Sequence, residues 1–408
     1  MENPATNDVS ADREGRGREW IRILSSLPTR FAGTHAEREA AEQTGEWMRG
    51  LGVSDVSLTP LPAHPRAGWS LAVHTGIGAW GLWWGGFPGA LLTLLAAWSF
   101  RREVRWGKLL LSKLLPAATS VNVVGRAGAA APARRVVLSA HIDTAQAGLI
   151  FRRELADLFA RFQTRGGGEP PGPLALPEAL LIGGAVVAVA AWLGAHGAVF
   201  GLVKLVNALG LVIAAVLGLQ WAGSPATPGA NDNASAVAAM LTCAETLLKD
   251  LPSDVELWVA GVGAEEVGCN GMHALLDAHR DWPLEHTFFV NFECFGGGAL
   301  HYIRSEGMLR KISYPPALVE VGRRIAAGDA FGAITVTDLL AATDGHVPAD
   351  LGYPTLSLIS LEANGVPRNY HRVEDTVDGI DMSTVIRAAD FGAAVAQAAL
   401  RGAAGAIA

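Results

Sequence analysis

The sequence predicts an α/β protein: a three-layer sandwich around a mostly parallel central sheet, with hydrophobic helical hairpins inserted into it. Three observations lead there. From Gly223 onward, strand-like apolar runs alternate with segments of helical periodicity, the pattern that builds a parallel sheet covered by helices. Two long stretches, Trp69 to Phe100 and Leu174 to Trp221, are almost free of charge and interrupt globular sequence. Histidines and acids recur just past the strand-like runs, where open α/β sheets place their sites.

Composition narrows the class. Half of the 408 residues are hydrophobic, 17% are charged, and the mean hydropathy is +0.27. That is too apolar for an ordinary soluble enzyme and too charged for an all-membrane transporter. A soluble domain with membrane segments fits both figures. A net charge of −7 with no Lys/Arg-dense block argues against nucleic acid as a partner. Cys243, Cys269 and Cys294 have no CxxC spacing and cannot form a disulfide framework. Residues 1–18 are polar without an apolar core, so they read as a disordered tail and not as a signal peptide.

Glu19 to Leu27 and Ala36 to Leu51 carry helical periodicity, and Gly52 stands where a helix C-terminus favours glycine. Val53 to Leu58 reads as a strand. Trp69 to Phe100 follows, rich in Trp, with Gly85-Gly86-Phe87-Pro88-Gly89 at its middle. A spanning helix needs about 20 apolar residues, so this block suits either one span or a hairpin of two short helices, the latter roughly 13–16 residues each and short for a full span. Arg101, Arg102, Arg105 and Lys108 come directly after it. Strand-like Val136 to Ala140 leads into His141-Ile142-Asp143. Phe151 to Arg165 is charged and reads as helical. Leu174 to Trp221 contains only Glu178 and Lys204 as charges and is long enough for two spanning helices turning at Gly194 to Gly197. Beyond it lie a helix over Asn231 to Leu251, strand Val255 to Val262, helix Gly271 to His279, strand Thr287 to Glu293, helix Pro316 to Ala327, strand Thr355 to Leu361 and helix Met382 to Arg401.

The chemistry-bearing residues lie between these elements. In Gly263-Ala264-Glu265-Glu266-Val267-Gly268, two adjacent carboxylates sit among small residues. An exposed Glu pair is a common solvated feature; a buried one requires a cation or a shared proton. His141 and Asp143, at i and i+2, share one side of extended chain, so the acid can hold the ring of a ligating imidazole. Asp232, in Gly229-Ala230-Asn231-Asp232-Asn233-Ala234-Ser235, suits either a helix cap or a bridging carboxylate. Glu293 ends a strand, and His371 follows Tyr370 in a polar loop. Each is unremarkable alone.

Taken in order, Ser139-Ala140-His141-Ile142-Asp143-Thr144, the Asp232 loop, Ala264-Glu265-Glu266-Val267-Gly268, Glu293 and Tyr370-His371-Arg372-Val373-Glu374-Asp375-Thr376 form a series. It resembles the co-catalytic di-zinc exopeptidases, the metallopeptidases that include bacterial leucyl aminopeptidases, glutamate carboxypeptidase II and glutaminyl cyclases. Arg30-Phe31-Ala32-Gly33-Thr34 looks like that family's opening segment. Thr343-Asp344-Gly345-His346-Val347-Pro348 looks like its Ser/Thr-Asp-His-x-Pro segment with one residue added.

The resemblance implies the fold of a zinc exopeptidase and two zinc ions, with Mn²⁺ or Co²⁺ as alternatives. It implies His141, Asp232 and Glu293 at one ion, and Asp232, Glu266 and His371 at the other. Glu265 would be the general base, Asp143 would orient His141, and Tyr370 would offer its hydroxyl to the oxyanion. Glu293 departs from the Asp found at that position in many aminopeptidases. The substrate would be a peptide, an aminopeptidase being the first reading. Glutaminyl cyclase-like transfer and an inactive membrane interaction protein are the alternatives.

The expected organisation is a peptidase domain assembled from 19–68, 101–173 and 223–408, with insertions at 69–100 and 174–222. Each insertion begins and ends in the same domain, so it crosses a membrane an even number of times or not at all. Arg101, Arg102, Arg105, Lys108, Arg152, Arg153, Arg161 and Arg165 flank the insertions, and the hairpin turns carry no Lys or Arg. The positive-inside tendency then places the catalytic domain in the cytoplasm of a bacterial cell, tied to the inner membrane and its lipid. Oligomeric state is not legible.

Overall fold

Nine strands form one sheet in the computed structural model, which describes residues 4–64, 67–106, 109–152, 154, 174–309 and 311–401. They are β1 (Ser54–Ala63), β2 (Ala118–Gly128), β3 (Arg134–His141), β4 (Val255–Val262), β5 (Thr287–Glu293), β6 (Ala299–Glu306), β7 (Ile312–Ser313), β8 (Thr335–Leu339) and β9 (Thr355–Leu361). Their order is β1-β2-β4-β3-β5-β9-β6-β7, with β8 against β6. The central four, β4, β3, β5 and β9, run parallel; β2 and β6 join them antiparallel. Every residue of β4, β5 and β9 is buried, which is why these strands read as apolar runs without alternation.

Successive residues of β3 face opposite layers. Val136 and Leu138 enter the core shared with helices α1 (Pro4–Ser26), α2 (His35–Gly50), α7 (Ala236–Leu248), α9 (Pro316–Ala326) and α11 (Met382–Leu400). Val137 enters the second core, with Trp258 of β4, Met272 and Leu275 of α8 (Asn270–Ala278), and Val347 of α10 (His346–Asp350). This is the three-layer sandwich that the sequence predicts.

Two details differ from the sequence reading. The expected tail over residues 1–18 is part of α1 from Pro4 onward. Trp20, Ile21 and Leu24 anchor that helix, and Arg13 and Arg16 pair with Asp390 and Glu245 at 2.7 and 2.6 Å. The polarity that reads as disorder is a charged face matched by acids far along the chain. The expected helix from Asn231 starts at Ala236 instead. Asp232 and Asn233 leave helical dihedrals, and the N–H groups of Asn231 and Asp232 donate to Asp375 at 2.7 and 3.0 Å.

The first insertion is a hairpin, α3 (Ala67–Trp84) and α4 (Gly86–Trp106), broken at Gly85, whose φ of 76° favours glycine. With 18 and 21 residues, these helices exceed the expected 13–16. Only one residue separates them, and α4 runs on through the arginines. The second insertion comprises α5 (Ala175–Trp192) and α6 (Ala198–Ala222). The four helices pack around Leu71, Leu82, Phe100, Leu181 and Leu211. Gly68 of α3 meets Gly218 of α6 so closely that a Cβ on either would lie within 2.8 Å of the other's carbonyl oxygen. At the foot of the first hairpin, Glu103 accepts from Ser99 and Ser112 hydroxyls at 3.1 and 2.5 Å and from Leu110 N–H at 2.8 Å. Among the described helices, α5 and α6 are long and apolar enough to cross a membrane. Lys108, Arg153, Arg161, Arg165 and most of the expected helix over 151–165 lie outside the described residues, as does the side chain of Arg105.

Candidate metal centre

The parallel strands deliver the site. His141 ends β3 and is in register with Val262 at the end of β4, so the Glu265-Glu266 loop starts beside it. Glu293 ends β5, the next strand over. Asp232 comes from the turn before α7, and His371 from the loop after β9, with a left-handed φ of 52°. A non-glycine residue held there is a feature of functional sites.

The Glu265-Glu266 loop is fixed from three sides. Both oxygens of Asp143 accept its backbone, from Glu265 N–H at 3.0 Å and Glu266 N–H at 3.2 Å. Buried Glu37 accepts from Ala264 N–H at 3.1 Å, Ser120 Oγ at 2.5 Å and Gly33 N–H at 2.6 Å. Burial, then the nearby Asp143 charge, push the Glu37 carboxyl up to about 8. Asn122 takes Gly263 N–H at 3.0 Å and gives to Gly271 carbonyl at 2.8 Å. A Cβ at Gly263 would lie 2.5 Å from Ser120 Oγ and Val121 O, so no other residue fits. Arg30, also buried, donates to the carbonyls of Ile142, Pro228 and Gly229 and binds the His141 and Asp232 loops together.

Six side chains converge. Asp232 stands between the two histidines: Oδ1 is 3.2 Å from His141 Nε2, and Oδ2 is 3.2 Å from His371 Nε2. Glu293 Oε1 is 3.2 Å from His141 Nε2, and Glu265 Oε2 is 4.0 Å from it. Glu266 Oε2 is 3.1 Å from His371 Nε2. His141 Nδ1 lies 3.1 Å from the Asp143 carbonyl, which can only accept, so the proton sits on Nδ1 and Nε2 faces the acids. Tyr370 stacks on His371 with ring centroids 3.8 Å apart.

The electrostatics ask for cations. Burial alone would depress both imidazoles. Glu293 and its neighbours nevertheless hold His141 well above its usual range, and Glu266 and Asp232 raise His371 to about 10. Burial pushes Glu265 well up against the pull of His141, aided by Asp344, Glu266 and Glu293. Burial likewise takes Glu266 to about 7. Burial and the surrounding carboxylates raise the Tyr370 hydroxyl, so it stays a donor. Glu266 Oε1, His371 Nδ1 and both oxygens of Asp344 are buried without hydrogen-bond partners among the described residues. Leaving such groups uncompensated costs several kcal/mol each. Three groups among the described residues, His141 with Asp232 and Glu293, Asp232 with Glu266 and His371, and His141 with Glu265 and Glu266, bring one ligand atom each within 4.8 Å of one another. Mixed imidazole and carboxylate donors suit Zn²⁺. The residues present therefore fit a pair of metal ions sharing Asp232.

All eight sequence-singled residues, His141, Asp143, Asp232, Glu265, Glu266, Glu293, Tyr370 and His371, meet at this edge of the sheet. Sequence reasoning missed Glu37, Asp344 and Asp375 as buried acids around it. Asp344 and Asp375 stood inside quoted motifs, but Glu37 carried only an Xaa-Thr-x-x-Glu capping spacing.

The fold is that of the zinc aminopeptidases, as comparisons with known proteins show. The model of Peptidase family M28 matches residues 217–396. Aminopeptidase YwaD of Bacillus subtilis (strain 168) is 30% identical over 171 residues, 41% of this chain. The match spans 37% of that relative's length. In structure, the chain is similar to a zinc aminopeptidase from Bacillus subtilis, with a TM-score of 0.55, 17% identity and 94% of each chain covered. An aminopeptidase from Aneurinibacillus sp. strain AM-1 gives a TM-score of 0.55 at 14% identity, covering 95% of this chain and 93% of that one. Porphyromonas gingivalis glutaminyl cyclase gives 0.54 at 13% identity, covering 94% and 97%. The likeness to the co-catalytic di-zinc exopeptidases, read first from the motifs, therefore holds.

Proposed function

We propose that this chain is a membrane-anchored, zinc-dependent exopeptidase that removes N-terminal residues from peptides. The observation that carries the reading is Asp232, whose two oxygens each face a different histidine, with Glu293 and Glu266 completing the two sets. His141, Asp232 and Glu293 would hold one ion; Asp232, Glu266 and His371 would hold the other. Zinc held by these residues would lower the pKa of a coordinated water towards about 7 and polarise the scissile carbonyl.

The chain's own groups do the rest. Glu265, close to His141 but outside both ligand sets, takes a proton from the attacking water and returns it to the leaving amine. Asp143 holds the loop that carries Glu265 and Glu266 and faces Nδ1 of His141 at 3.5 Å, keeping Nε2 directed inward. Tyr370 donates its hydroxyl to the developing oxyanion.

The insertions support a membrane anchor with a cytoplasmic catalytic domain. All four helix ends at the foot join the peptidase domain, and α6 presents Val199, Leu202, Val206, Ile213 and Val216 outward. At 1.5 Å per residue its length is about 37 Å, enough for a bilayer core. Exposed Trp80, Trp83, Trp84, Phe87 and Trp192 gather towards the tips, as in an interfacial aromatic belt. Arg101 stays at the foot, paired with Glu178 at 2.7 Å.

Metal content and hydrolysis of aminoacyl-anilides by the detergent-purified chain test the reading. Two zinc ions with release of the aniline support it. Zinc with no hydrolysis of any peptide series, but cyclisation of N-terminal glutaminyl peptides, replaces it with acyl transfer. Recovery in the soluble fraction without detergent contradicts the anchor.

A further inference from the structure

The proposed metal centre stands against the foot of the insertions. The chain leaving α6 at Ala222 reaches Asp232 ten residues on, and Gln146, three residues past Asp143, clamps the junction. Its amide donates to the carbonyls of Ala222 and Ser224 at 3.2 and 3.1 Å, and Trp221 Nε1 returns a hydrogen bond to Gln146 O at 3.0 Å. Ala147 N–H to Pro225 O at 2.9 Å and Thr227 N–H to Ala145 O at 3.0 Å carry the clamp towards Asp232. Phe151 fills the space between helix and site, its ring 5.4 Å from Trp221 and 4.4 Å from His371, edge-on to both. One aromatic ring thus separates a proposed zinc ligand from the last turn of a helix long and apolar enough to cross a membrane. Ala67, the first residue of α3, borders the same narrow crevice as Trp221 and Glu266, so both insertions meet the centre.

The foot itself carries the surface of a bilayer boundary. Trp69 on the first turn of α3, Leu114 on the turn after α4 and Leu176 on the first turn of α5 are all exposed, Leu114 by 83%. Exposed cations, Lys113 and Arg152, neighbour Leu114 and Phe151 and suit lipid phosphates. A bilayer core about 30 Å thick takes up roughly 20 helical residues. Of the 25 in α6, that leaves Trp221 at the hydrocarbon edge, the level that interfacial Trp occupies. We propose that the metal centre lies at the level of the lipid headgroups, and that its substrates are peptides anchored in the bilayer through their C-terminal side, with the free N-terminus close above the surface. This rests on the exopeptidase and anchor readings above. Chain ends confined to that layer meet the centre at an effective concentration that free peptides do not reach.

The length of the trimmed product tests this. The zinc-loaded full chain, reconstituted in phosphatidylcholine–phosphatidylglycerol vesicles, is given one water-soluble peptide of about 20 residues in two forms. One is free; the other is coupled through its C-terminus to a two-chain phospholipid, which holds it stably on the bilayer. Mass spectrometry reads the residues left at completion, and vesicle flotation reads whether the chain is membrane-bound. At about 3.3 Å per residue, a centre at headgroup level should trim the anchored peptide until about six residues or fewer remain. The anchored form should also be consumed about tenfold faster than the free form at equal total concentration. A centre on the far side of the domain, about 40 Å up, would instead stop with about twelve residues left. A stop with more than about six residues, or anchored peptide consumed no faster than free, overturns the proposal while trimming of the free form leaves the exopeptidase reading intact. No trimming of either form overturns that reading as well, and a chain that does not float with the vesicles overturns the anchor.

Discussion

Asp143 and Glu265 are joined through the backbone: one Asp143 oxygen accepts Glu265 N–H at 3.0 Å, and the other accepts Glu266 N–H at 3.2 Å. A single buried carboxylate thus positions the proposed base and a proposed ligand together, while facing His141 Nδ1. Asp143→Asn would turn an amide NH₂ toward one of those N–H donors. Zinc affinity and kcat/KM should each drop about 10–100-fold, the usual cost of losing a group that orients a ligand. Chelator competition and anilide kinetics check it, and wild-type values for both would contradict the role.

His371 serves one side of Asp232 and His141 the other. His371→Ala should therefore reduce bound zinc from two ions to one per chain, read by elemental analysis after dialysis. Two tightly held ions in the variant would show that the second site lies elsewhere.

The sequence made the centre legible for a physical reason. The sequence places His141, the loop after Val262 and Glu293 just past strand-like runs, and because β3, β4 and β5 are parallel neighbours those ends share one edge. The apolar blocks were legible because absence of charge persists over whole helices. Glu37 was not, since it acts through contacts with Ser120 and Ala264, both distant along the chain, and its local spacing reads only as a helix cap. Residues 4–18 misled because charge paired in tertiary structure, as at Arg13 and Arg16, looks the same in sequence as charge left to water.

Helix crossing at Gly218 gives a stability prediction. A Cβ there would meet Ala72 N at 2.7 Å and Gly68 O at 2.8 Å, both backbone, whereas one at Gly201 of the same helix would meet nothing within 4 Å among the described residues. Gly218→Ala should destabilise the detergent-solubilised chain by about 1–3 kcal/mol, against no loss for Gly201→Ala. Thermal melts of the pair decide; equal melting temperatures would contradict the packing.

Glu306 links stability to pH. Burial pushes its carboxyl up to about 8, against the donors Tyr314 and Thr343. The folded state therefore holds a proton that the unfolded chain releases near pH 4.5. Its stabilising contribution is complete below that pH and is lost as pH rises towards and through 8, on the order of 5 kcal/mol at full effect. In Glu306→Gln the fall in urea midpoint between pH 5 and 8 should flatten, whatever the offset in stability. An unchanged slope would show that Glu306 does not carry the linkage.

The account stands on the division of labour between Glu265 and its neighbour Glu266. Glu265→Gln, purified as the full chain, should keep two zinc ions and lose about 10²–10⁴ of kcat on leucyl-p-nitroanilide, because the proton carrier is gone and both ligand sets remain. A zinc-loaded Glu265→Gln that turns over at the wild-type rate would contradict it.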